Sequence, residues 1–502
     1  MAGDRYLCID CGLTATKAAV FDGKGLQIAE ASAATPVRAS GESSEIEMEE
    51  EWQLCARLVG EALARAGKAG GGIAGVGVSG HGGGLYPVDA AGRPVRAALT
   101  SMDRRAGSLV EAWAREGRSR YPATRHHPWA GQSLPQLAWL RRHEPQGYDR
   151  TRFALGAKDW IVLCLTGEIS TDRTDASNNA LVDLGSGGYD PEVPRLFGVP
   201  EVSGKLAPMN LSAAQVGRVG AAAAAATGLS AGTPVVAGMF DVLSCAVGSG
   251  AMDEGSVSLI AGTWNINSAF DARLLSTPPS VKTSLGPDEG RYAYVESSAT
   301  SAGNLAWFLS ALEELFAVRP AVGERPTEAL YARLNAGVER VPPGAEGVTF
   351  LPFIHRAQIA PGVDGAFVGL RSEHGAFHLL RALYEGVAFA HRAHLEVLAE
   401  GGLRRSRAVL SGGAASSATW CQIFADVLRR PLSTSDASQA GARGIAIALA
   451  VGTGRHRTYA EAARAMVRPG AAYAPDDRRA AALEEGYARF RDTAARLGGP
   501  AS

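Results

Sequence analysis

The chain has 502 residues, of which 50 are basic and 51 acidic, so its formal charge is −1. This balance argues against nucleic acid or an acidic membrane as a partner, and no run of about 18 apolar residues predicts a membrane span. The length suffices for two or three domains, each with its own core. Six scattered cysteines, and charged residues directly before the first predicted strand in place of a signal peptide, predict a cytoplasmic protein.

The first half of the chain alternates short β-rich runs with helical patterns, which predicts an α/β fold. Early strands are expected at 6–10, 18–22 and 75–79. Helical patterns lie at about 49–66, near 107–116, near 136–143 and near 160–165. The stretch "GTPVVAGMFD" (232–241) has the form of a buried strand that ends in an acid.

The second half opens in the same way as the first. "LCIDCGLTATKAAVFD" (7–22) and "GSVSLIAGTWNINSAFD" (255–271) each combine an apolar strand, a turn with Gly and Thr, and a return strand. A weak internal duplication is the simplest interpretation. It predicts domains 1–248 and 249–502, with the boundary in the glycine-containing stretch 246–254.

The rest of the second half continues the α/β pattern. "RAVLSGG" (407–413) predicts a strand and a Gly-Gly turn, and a helix is expected over 417–428. The small-residue helix predicted over 440–454 must pack closely against another element. An amphipathic helix is expected near the end of the sequence.

The two turns with Gly and Thr are suited to phosphate, because bare backbone amides approach oxygens closely and hydroxyls add donors. Two such hairpins across a cleft could hold a polyphosphate between them. Asp10, at the end of the first strand, could hold Mg²⁺ through water, since hard cations prefer oxygen ligands. The P-loop pattern G-x-x-x-x-G-K-[ST] does not occur in the sequence.

Together these motifs resemble the FGGY family of carbohydrate kinases along essentially the whole chain. The resemblance implies two actin-like (ribonuclease H-like) ATPase domains with a cleft between them, the first mainly for sugar and the second mainly for nucleotide. It implies ATP and Mg²⁺ as cofactors, with Asp10 organising the metal. The residues it places at the nucleotide are Gly12, Thr14, Lys17, Gly262, Thr263, Gly303, Asn304, Gly412 and Gly413.

The resemblance also implies a catalytic base, Asp241, which would take the proton of the attacking sugar hydroxyl. From the residues alone, a role as the cap of the following helix is equally open, and the two roles can coexist. Asp241 would also contact the sugar.

Four further residues match sugar-binding positions of the family. His81 and Gly82, in "GVGVSGHGGGLYPVD" (75–89), would meet the polyol chain. Asp103 and Arg105, in "TSMDRRA", would accept from and donate to sugar hydroxyls, and the alternative for them is a surface ion pair. The G-x-G-x-x-G pattern at 75–80 lies within the predicted strand, so a dinucleotide site is rejected.

Three other features are interpreted as structural. The lone C-x-x-C of Cys8 and Cys11 lacks a second pair for zinc, and the adjacent histidines of "RHHPW" (125–129) have the wrong spacing for a metal site. Glu385, in a segment that matches a signature of the family, is expected to be a buried polar anchor in a helix.

The implied reaction is the ATP-dependent phosphorylation of a terminal hydroxyl of a small sugar. The resemblance is greatest to the branch that acts on L-xylulose, while D-xylulose, L-ribulose, erythritol and glycerol stay open as acceptors. An actin-like ATPase switch and a sugar-binding regulator without catalysis are the alternatives from other classes. A homodimer is implied by the family alone.

Overall fold

The structure is a computed structural model that describes residues 4–67, 72–118, 123–316, 328–355, 359–435 and 439–498. Its strands are β1 (Arg5–Cys11), β2 (Ala15–Asp22), β3 (Gln27–Ala34), β4 (Arg38–Ser40), β5 (Ser43–Ile46), β6 (Ile73–Gly80), β7 (Tyr86–Val88), β8 (Ala98–Leu99), β9 (Phe153–Leu155), β10 (Thr171–Asp172), β11 (Met209–Asn210), β12 (Gln215–Arg218), β13 (Pro234–Val236), β14 (Met239–Phe240), β15 (Ser256–Ala261), β16 (Asn265–Asp271), β17 (Lys282–Leu285), β18 (Tyr292–Ser298), β19 (Thr349–Leu351), β20 (Ala366–Val368), β21 (Arg407–Ser411), β22 (Leu432–Ser435) and β23 (Pro469–Tyr473).

The α-helices alternate with these strands. They are α1 (Met48–Ala66), α2 (Gly107–Arg115), α3 (Ser133–His143), α4 (Pro145–Arg150), α5 (Ala157–Thr166), α6 (Arg173–Asn178), α7 (Glu192–Leu196), α8 (Ala221–Thr227), α9 (Asp241–Gly248), α10 (Gly303–Phe316), α11 (Glu328–Arg340), α12 (Ala376–Glu400), α13 (Ala418–Leu428), α14 (Ala440–Gly452), α15 (Tyr459–Met466) and α16 (Asp477–Gly498). None of the helices described has the length and apolar character that crossing a membrane requires.

Each half of the chain contains a seven-stranded sheet built around its opening hairpin. The first has the order β12-β13-β6-β1-β2-β3, with β14 also paired to β6, and the second has the order β17-β18-β16-β15-β21-β22-β23. In both sheets the first hairpin strand pairs antiparallel with the second and parallel with a later strand, β6 or β21. This matching topology confirms the α/β prediction and the repeated hairpin.

The strand β1 is buried on both faces, which explains why its sequence is nearly continuous in apolar residues. Leu7, Ile9 and Cys11 pack into one core of the first half. Cys8 faces the opposite core, so the two cysteines of the C-x-x-C point to different faces of the sheet. Both are free thiols, and Cys11 Sγ lies 3.9 Å from Cys55 Sγ.

Helix α14 packs on the first sheet and on α9, although it comes from the second half. Its glycines permit this contact: a Cβ on Gly444 would lie 2.0 Å from the carbonyl oxygen of Ser244. A Cβ on Gly248, at the end of α9, would lie 1.8 Å from the carbonyl oxygen of Ala440. The close packing predicted for this small-residue helix is confirmed, while the boundary between residues 248 and 249 stays a prediction.

The prediction of one strand over 232–241 is wrong. The segment forms two short strands, β13 and β14, separated by a turn at Gly238 with φ of +79°. Gly238 is required there, because a Cβ would lie 1.9 Å from the carbonyl oxygen of Val78. The break lets the chain turn into α9 directly, so Asp241 begins a helix instead of ending a strand.

Candidate active site

Two carboxylates, Asp10 and Asp241, form the centre of the candidate site, and Asp10 is close enough to Asp241 to affect its ionisation. Asp10, near the end of β1, accepts a hydrogen bond of 2.8 Å from Ser79 Oγ on the neighbouring strand β6. Asp241 Oδ1 accepts from its neighbouring backbone amide, Val242 N, at 2.7 Å. Burial and the charge of Asp10 raise the pKa of Asp241 to about 8. Burial also raises the pKa of Asp10, which the charge of Lys17 opposes.

The backbone before Asp241 is held by a helix cap from another part of the first half. Phe240 N donates to Thr174 Oγ1 at 3.0 Å, and Thr174 Oγ1 donates to Asp172 Oδ2 at 2.7 Å. Asp172 is the N-cap of α6 and also accepts from the first amides of that helix. Sequence analysis missed this chain of bonds. Its only local signal is the Asp-x-Thr pattern of a helix cap, which does not reveal the contact with Phe240.

A cluster of buried charges lies beside this cap. Lys158 Nζ bonds to Asp159 Oδ1, and it lies 3.0 Å from Asp172 Oδ1 and 3.8 Å from Asp175 Oδ2. All four side chains are buried. Burial, opposed by Lys158 but reinforced by the neighbouring carboxylates, raises the pKa of Asp175 well above its ordinary value. Asp241 is among these carboxylates, so the cluster and the candidate base are electrostatically connected.

The first turn with Gly and Thr is stabilised by its own backbone. Gly12 N donates to the carbonyl of Ala15 at 3.2 Å, and a Cβ on Gly12 would lie 2.9 Å from that oxygen. Thr14, at the tip, is exposed. Lys17 Nζ donates to Gln439 Oε1 at 3.0 Å, so the predicted phosphate-binding lysine is bound to the N-cap residue of α14.

The second turn is joined to two of the later nucleotide segments. Gly303 N donates to the carbonyl of Gly262, and Ser301 N donates to the carbonyl of exposed Thr263, both at 3.1 Å. Gly412, with φ of +85°, lies against β15, where its Cβ would be 2.7 Å from the carbonyl of Ala261. The structure therefore brings Gly262, Thr263, Gly303 and Gly412 together.

The remaining two predicted nucleotide residues differ in their surroundings. A Cβ built on Gly413 would meet no atom within 4 Å, so the backbone at this position is open to a ligand. Asn304 is buried, and its Nδ2 donates to the carbonyl of Ser301 at 2.7 Å. Its side chain therefore stabilises the turn that carries Gly303, and a contact with nucleotide stays a prediction.

His81 and Gly82 follow β6 in a tightly packed loop. A Cβ on Gly82 would lie 2.3 Å from the ring of Phe240 and 2.5 Å from Asn178 Nδ2, so this loop is adjacent to the residue before Asp241. Burial lowers the pKa of His81 to about 4, which keeps the ring neutral at pH 7. His81 Nε2 lies 3.3 Å from Tyr86 Oη, and its Nδ1 has no hydrogen-bond partner among the described residues.

Asp103 and Arg105 form an ion pair, but one that is largely buried. Arg105 Nη2 lies 2.7 Å from Asp103 Oδ2 and 2.6 Å from Glu45 Oε1, and its guanidinium stacks over Trp139. Asp103 also accepts from Ser44 N at 2.9 Å and is 1% exposed. The alternative of a simple surface pair therefore does not describe Asp103, although its oxygens already have partners within the protein.

Two other features behave as the sequence predicted. Glu385 is buried in α12 and accepts from Gly344 N at 3.0 Å and Arg381 Nε at 2.6 Å, as a polar anchor would. In the "RHHPW" segment, His126 Nε2 donates to the carbonyl of Thr283 at 2.6 Å. This contact makes the segment a loop that packs on β17.

Two seven-stranded sheets that each open with a glycine-containing hairpin are the arrangement expected of a two-domain actin-like kinase fold. The chain belongs to the FGGY family of carbohydrate kinases: residues 5–248 match the N-terminal domain of the family and residues 257–453 match the C-terminal domain. It is therefore an enzyme that uses ATP to phosphorylate a small sugar.

Curated relatives and solved structures match nearly the whole chain. It is 32% identical to the L-xylulose/3-keto-L-gulonate kinase of Escherichia coli (strain K12), over 98% of this chain and 97% of that protein. It is 33% identical to a probable L-xylulose kinase of Pasteurella multocida (strain Pm70), over 88% of this chain and 89% of that protein. The crystal structure of xylulose kinase from Rhodospirillum rubrum has a TM-score of 0.88 at 29% identity, covering 98% and 99% of the two chains.

Proposed function

We propose that this kinase phosphorylates the terminal hydroxyl of a pentulose, with L-xylulose as the first candidate, and that Asp241 is its general base. The names of the curated relatives support the acceptor. The observation that carries the assignment of the base is the position of Asp241 at the start of α9, beside Asp10 and next to the loop with Gly82; the charge of Asp10 and burial also raise its pKa to about 8. A carboxylate of this pKa accepts a proton near neutral pH more readily than an ordinary aspartate does.

Asp10 is the proposed metal ligand. Two neighbouring carboxylates, with Lys17 as the cation that acts on Asp10, form an oxygen-rich and electron-rich site, which suits Mg²⁺. One oxygen of Asp10 accepts from Ser79 Oγ, and the other, which forms no hydrogen bond among the residues that the structure describes, would accept from a metal-bound water. The ion would neutralise phosphate charge when it is bound.

The two turns are the proposed phosphate sites. In the first, Gly12 and Thr14 would offer backbone amides and a hydroxyl, with Lys17 supplying positive charge behind them. In the second, Gly262 and Thr263 would do the same, while Gly303, Gly412 and Gly413 would border the nucleoside.

The sugar would lie on the first half. Neutral His81 can hydrogen-bond a hydroxyl, and Gly82 lets its loop pack against Phe240, the residue before Asp241. Arg105 and Asp103 are proposed to contact the other end of the sugar. The division at 248/249, the homodimer and the cytoplasmic location stay predictions.

A coupled ADP-release assay tests the proposed function. We expect ATP turnover to depend on the acceptor across a panel of pentuloses, tetritols, pentitols and glycerol, with L-xylulose highest in kcat/KM and a singly phosphorylated product by mass. Release of ADP at the same rate with and without every sugar would refute the proposal and favour an ATPase switch.

The raised pKa of Asp241 predicts a pH dependence. Because the base acts in its deprotonated form, kcat/KM for the sugar should rise with pH along a limb whose apparent pKa lies above the ordinary value of 3.8 and below about 8, since bound Mg²⁺ offsets the charge of Asp10. Stopped assays over pH 5.5–9.5 at saturating Mg·ATP would measure this limb. A value of kcat/KM that does not change with pH over this range would show that Asp241 behaves as an ordinary aspartate, contrary to this prediction.

A further inference from the structure

The side chain of His391, in α12, is a buried polar group that the proposed mechanism does not use. It is 0% exposed, and burial together with the neighbouring His394 lowers the pKa of its imidazole well below the ordinary value. The ring is therefore neutral at pH 7, donating from one nitrogen and accepting at the other. Its Nδ1 lies 2.8 Å from Asn267 Oδ1, and its Nε2 lies 3.0 Å from Ser301 Oγ.

The partners of Asn267 decide which nitrogen of His391 carries the proton. Asn267 Nδ2 lies 3.2 Å from the backbone carbonyl of Glu296 and 2.7 Å from Asn265 Oδ1. A backbone carbonyl only accepts, so the atom of Asn267 that faces it is the amide nitrogen, and Oδ1 faces His391. His391 therefore donates from Nδ1, and its bare Nε2 accepts from the hydroxyl of Ser301. These bonds form one polar chain, which consists of Ser301, His391, Asn267 and Asn265.

Both ends of the polar chain reach the second turn with Gly and Thr. At one end, Ser301 N donates to the carbonyl of Thr263 at 3.1 Å. At the other end, Asn265 is the first residue of β16, directly after Trp264, and it pairs with Ala261 across the hairpin. The polar chain therefore connects the two sides of this turn through a buried residue of α12.

The second turn depends on such support. Thr263 and Trp264 are both exposed, so the turn is held mainly by the elements beneath it. Backbone amides that bind phosphate have to be oriented before the ligand arrives, because ordering them on binding costs free energy. With an apolar residue in place of His391, the hydroxyl of Ser301 and the Oδ1 of Asn267 would each lose a buried partner. The side chain of Ser301 would then no longer fix the amide that binds Thr263.

We propose that His391 is a positioning residue for the nucleotide: through Ser301 on one side and Asn267 on the other, it fixes the second turn in the orientation that receives the phosphates of ATP. This inference rests on the proposed function, which assigns the second turn to phosphate. His391 is buried and acts only through its two partners. Its replacement should therefore weaken the binding of ATP and leave the binding of the acceptor unchanged.

The first test is His391→Phe, which keeps a planar ring in the core but can neither accept from Ser301 nor donate to Asn267. We expect KM for Mg·ATP, and Kd for a non-hydrolysable ATP analogue with Mg²⁺, each to rise about 10-fold, a size that one or two lost hydrogen bonds produce. KM for the acceptor should be unchanged. Assays of ADP release with each substrate varied in turn give the KM values, and titration calorimetry without acceptor gives Kd.

Two further variants distinguish positioning from packing. In His391→Gln the terminal amide extends about as far as Nε2, so its oxygen can accept from Ser301, and most of the affinity for ATP should return. In His391→Asn the amide extends only about as far as Nδ1 and can bond to Asn267 alone, so less should return. A residue that only fills space predicts the reverse order, with Phe nearest to wild type and Asn furthest from it. That reverse order would overturn the proposal.

Ser301→Ala tests the route from His391 to the turn. It removes the donor to Nε2 and should raise KM for Mg·ATP by a factor similar to that of His391→Phe. Because both changes break the same bond, the double variant should be little worse than either single variant. Fully additive effects would show that His391 does not act through Ser301 and would overturn the proposal.

Glu385→Gln is the matched control, because it weakens a buried ion pair with Arg381 in the same helix. It should lower the melting temperature without changing KM for ATP. Unchanged affinity for the ATP analogue in His391→Phe would overturn this inference and leave the proposed function intact. ADP release at the same rate with and without every sugar would instead refute the proposed function, while the titration with the analogue would still decide the role of His391.

Discussion

Asp241→Asn should reduce kcat for phosphoryl transfer by about 10²- to 10⁴-fold, the range that a positioned general base contributes. The asparagine keeps the shape of the side chain and its carbonyl oxygen can still accept from Val242 N. Binding of ATP should therefore be nearly unchanged, as measured by titration calorimetry. Turnover is measured by ADP release with the preferred acceptor.

The stability of the same variant provides an independent readout. The folded-state pKa of Asp241, about 8, is raised above the ordinary value of 3.8, so between these values the folded protein binds the proton more tightly than the unfolded chain. The wild-type protein should thus lose stability as pH rises from about 4 through 8, because a charge must be buried next to Asp10. Asp241→Asn carries no ionisable group at this position, so it should not lose this stability as pH rises. Its melting temperature should therefore be higher than that of wild type at pH 8.5.

The matched control is Asp492→Asn, at an exposed ion pair on the terminal helix α16, which should change neither turnover nor melting temperature. Near-normal turnover of Asp241→Asn would show that Asp241 is not the general base. Loss of turnover with a lowered melting temperature at every pH would indicate a damaged fold, and the raised pKa would then not describe this residue.

Much of the architecture could be predicted because its signals are local. The sequence pattern of apolar strands with Gly and Thr between them predicts the two hairpins. The apolar run followed by Gly-Gly likewise predicts β21 and its turn. The segment 232–241 was predicted wrongly, because its nearly continuous apolar run indicates one strand although the chain makes a sharp turn within it. Gly238 carries that turn, but its need for positive φ arises from contact with Val78 in another strand, which no local pattern contains.

The candidate site was less accessible to sequence reasoning, because its side chains are held by residues distant in the chain. Lys17 bonds to Gln439, 422 residues away, and Phe240 bonds to Thr174, 66 residues away. A residue type indicates that a side chain can donate or accept, but the fold decides which partner it meets. For Asn304, which was expected at the nucleotide, the partner is the backbone carbonyl of Ser301 in its own turn.

Lys158→Met should be the most destabilising of the proposed substitutions, by about 3–5 kcal/mol, the cost of removing one partner from a buried ion cluster. Lys158 is fully buried and is the counterion of Asp159 and Asp172. Without it, these carboxylates must either protonate or stay charged in the interior, and both outcomes favour the unfolded chain. The shift in the urea midpoint measures the loss.

Lys158→Met should also disturb the position of Asp241. Asp172 accepts from the hydroxyl of Thr174, and that hydroxyl accepts from Phe240 N, directly before Asp241. Adding Asp172→Asn to Lys158→Met removes one of the unpaired charges while an amide oxygen still caps α6, so the double variant should regain part of the lost stability. Lys24→Met, at an exposed turn of the first half, serves as the control. If Lys158→Met unfolds at the same urea concentration as wild type, the cluster is not a net ionic contact, and the link from Lys158 to Asp241 fails with it.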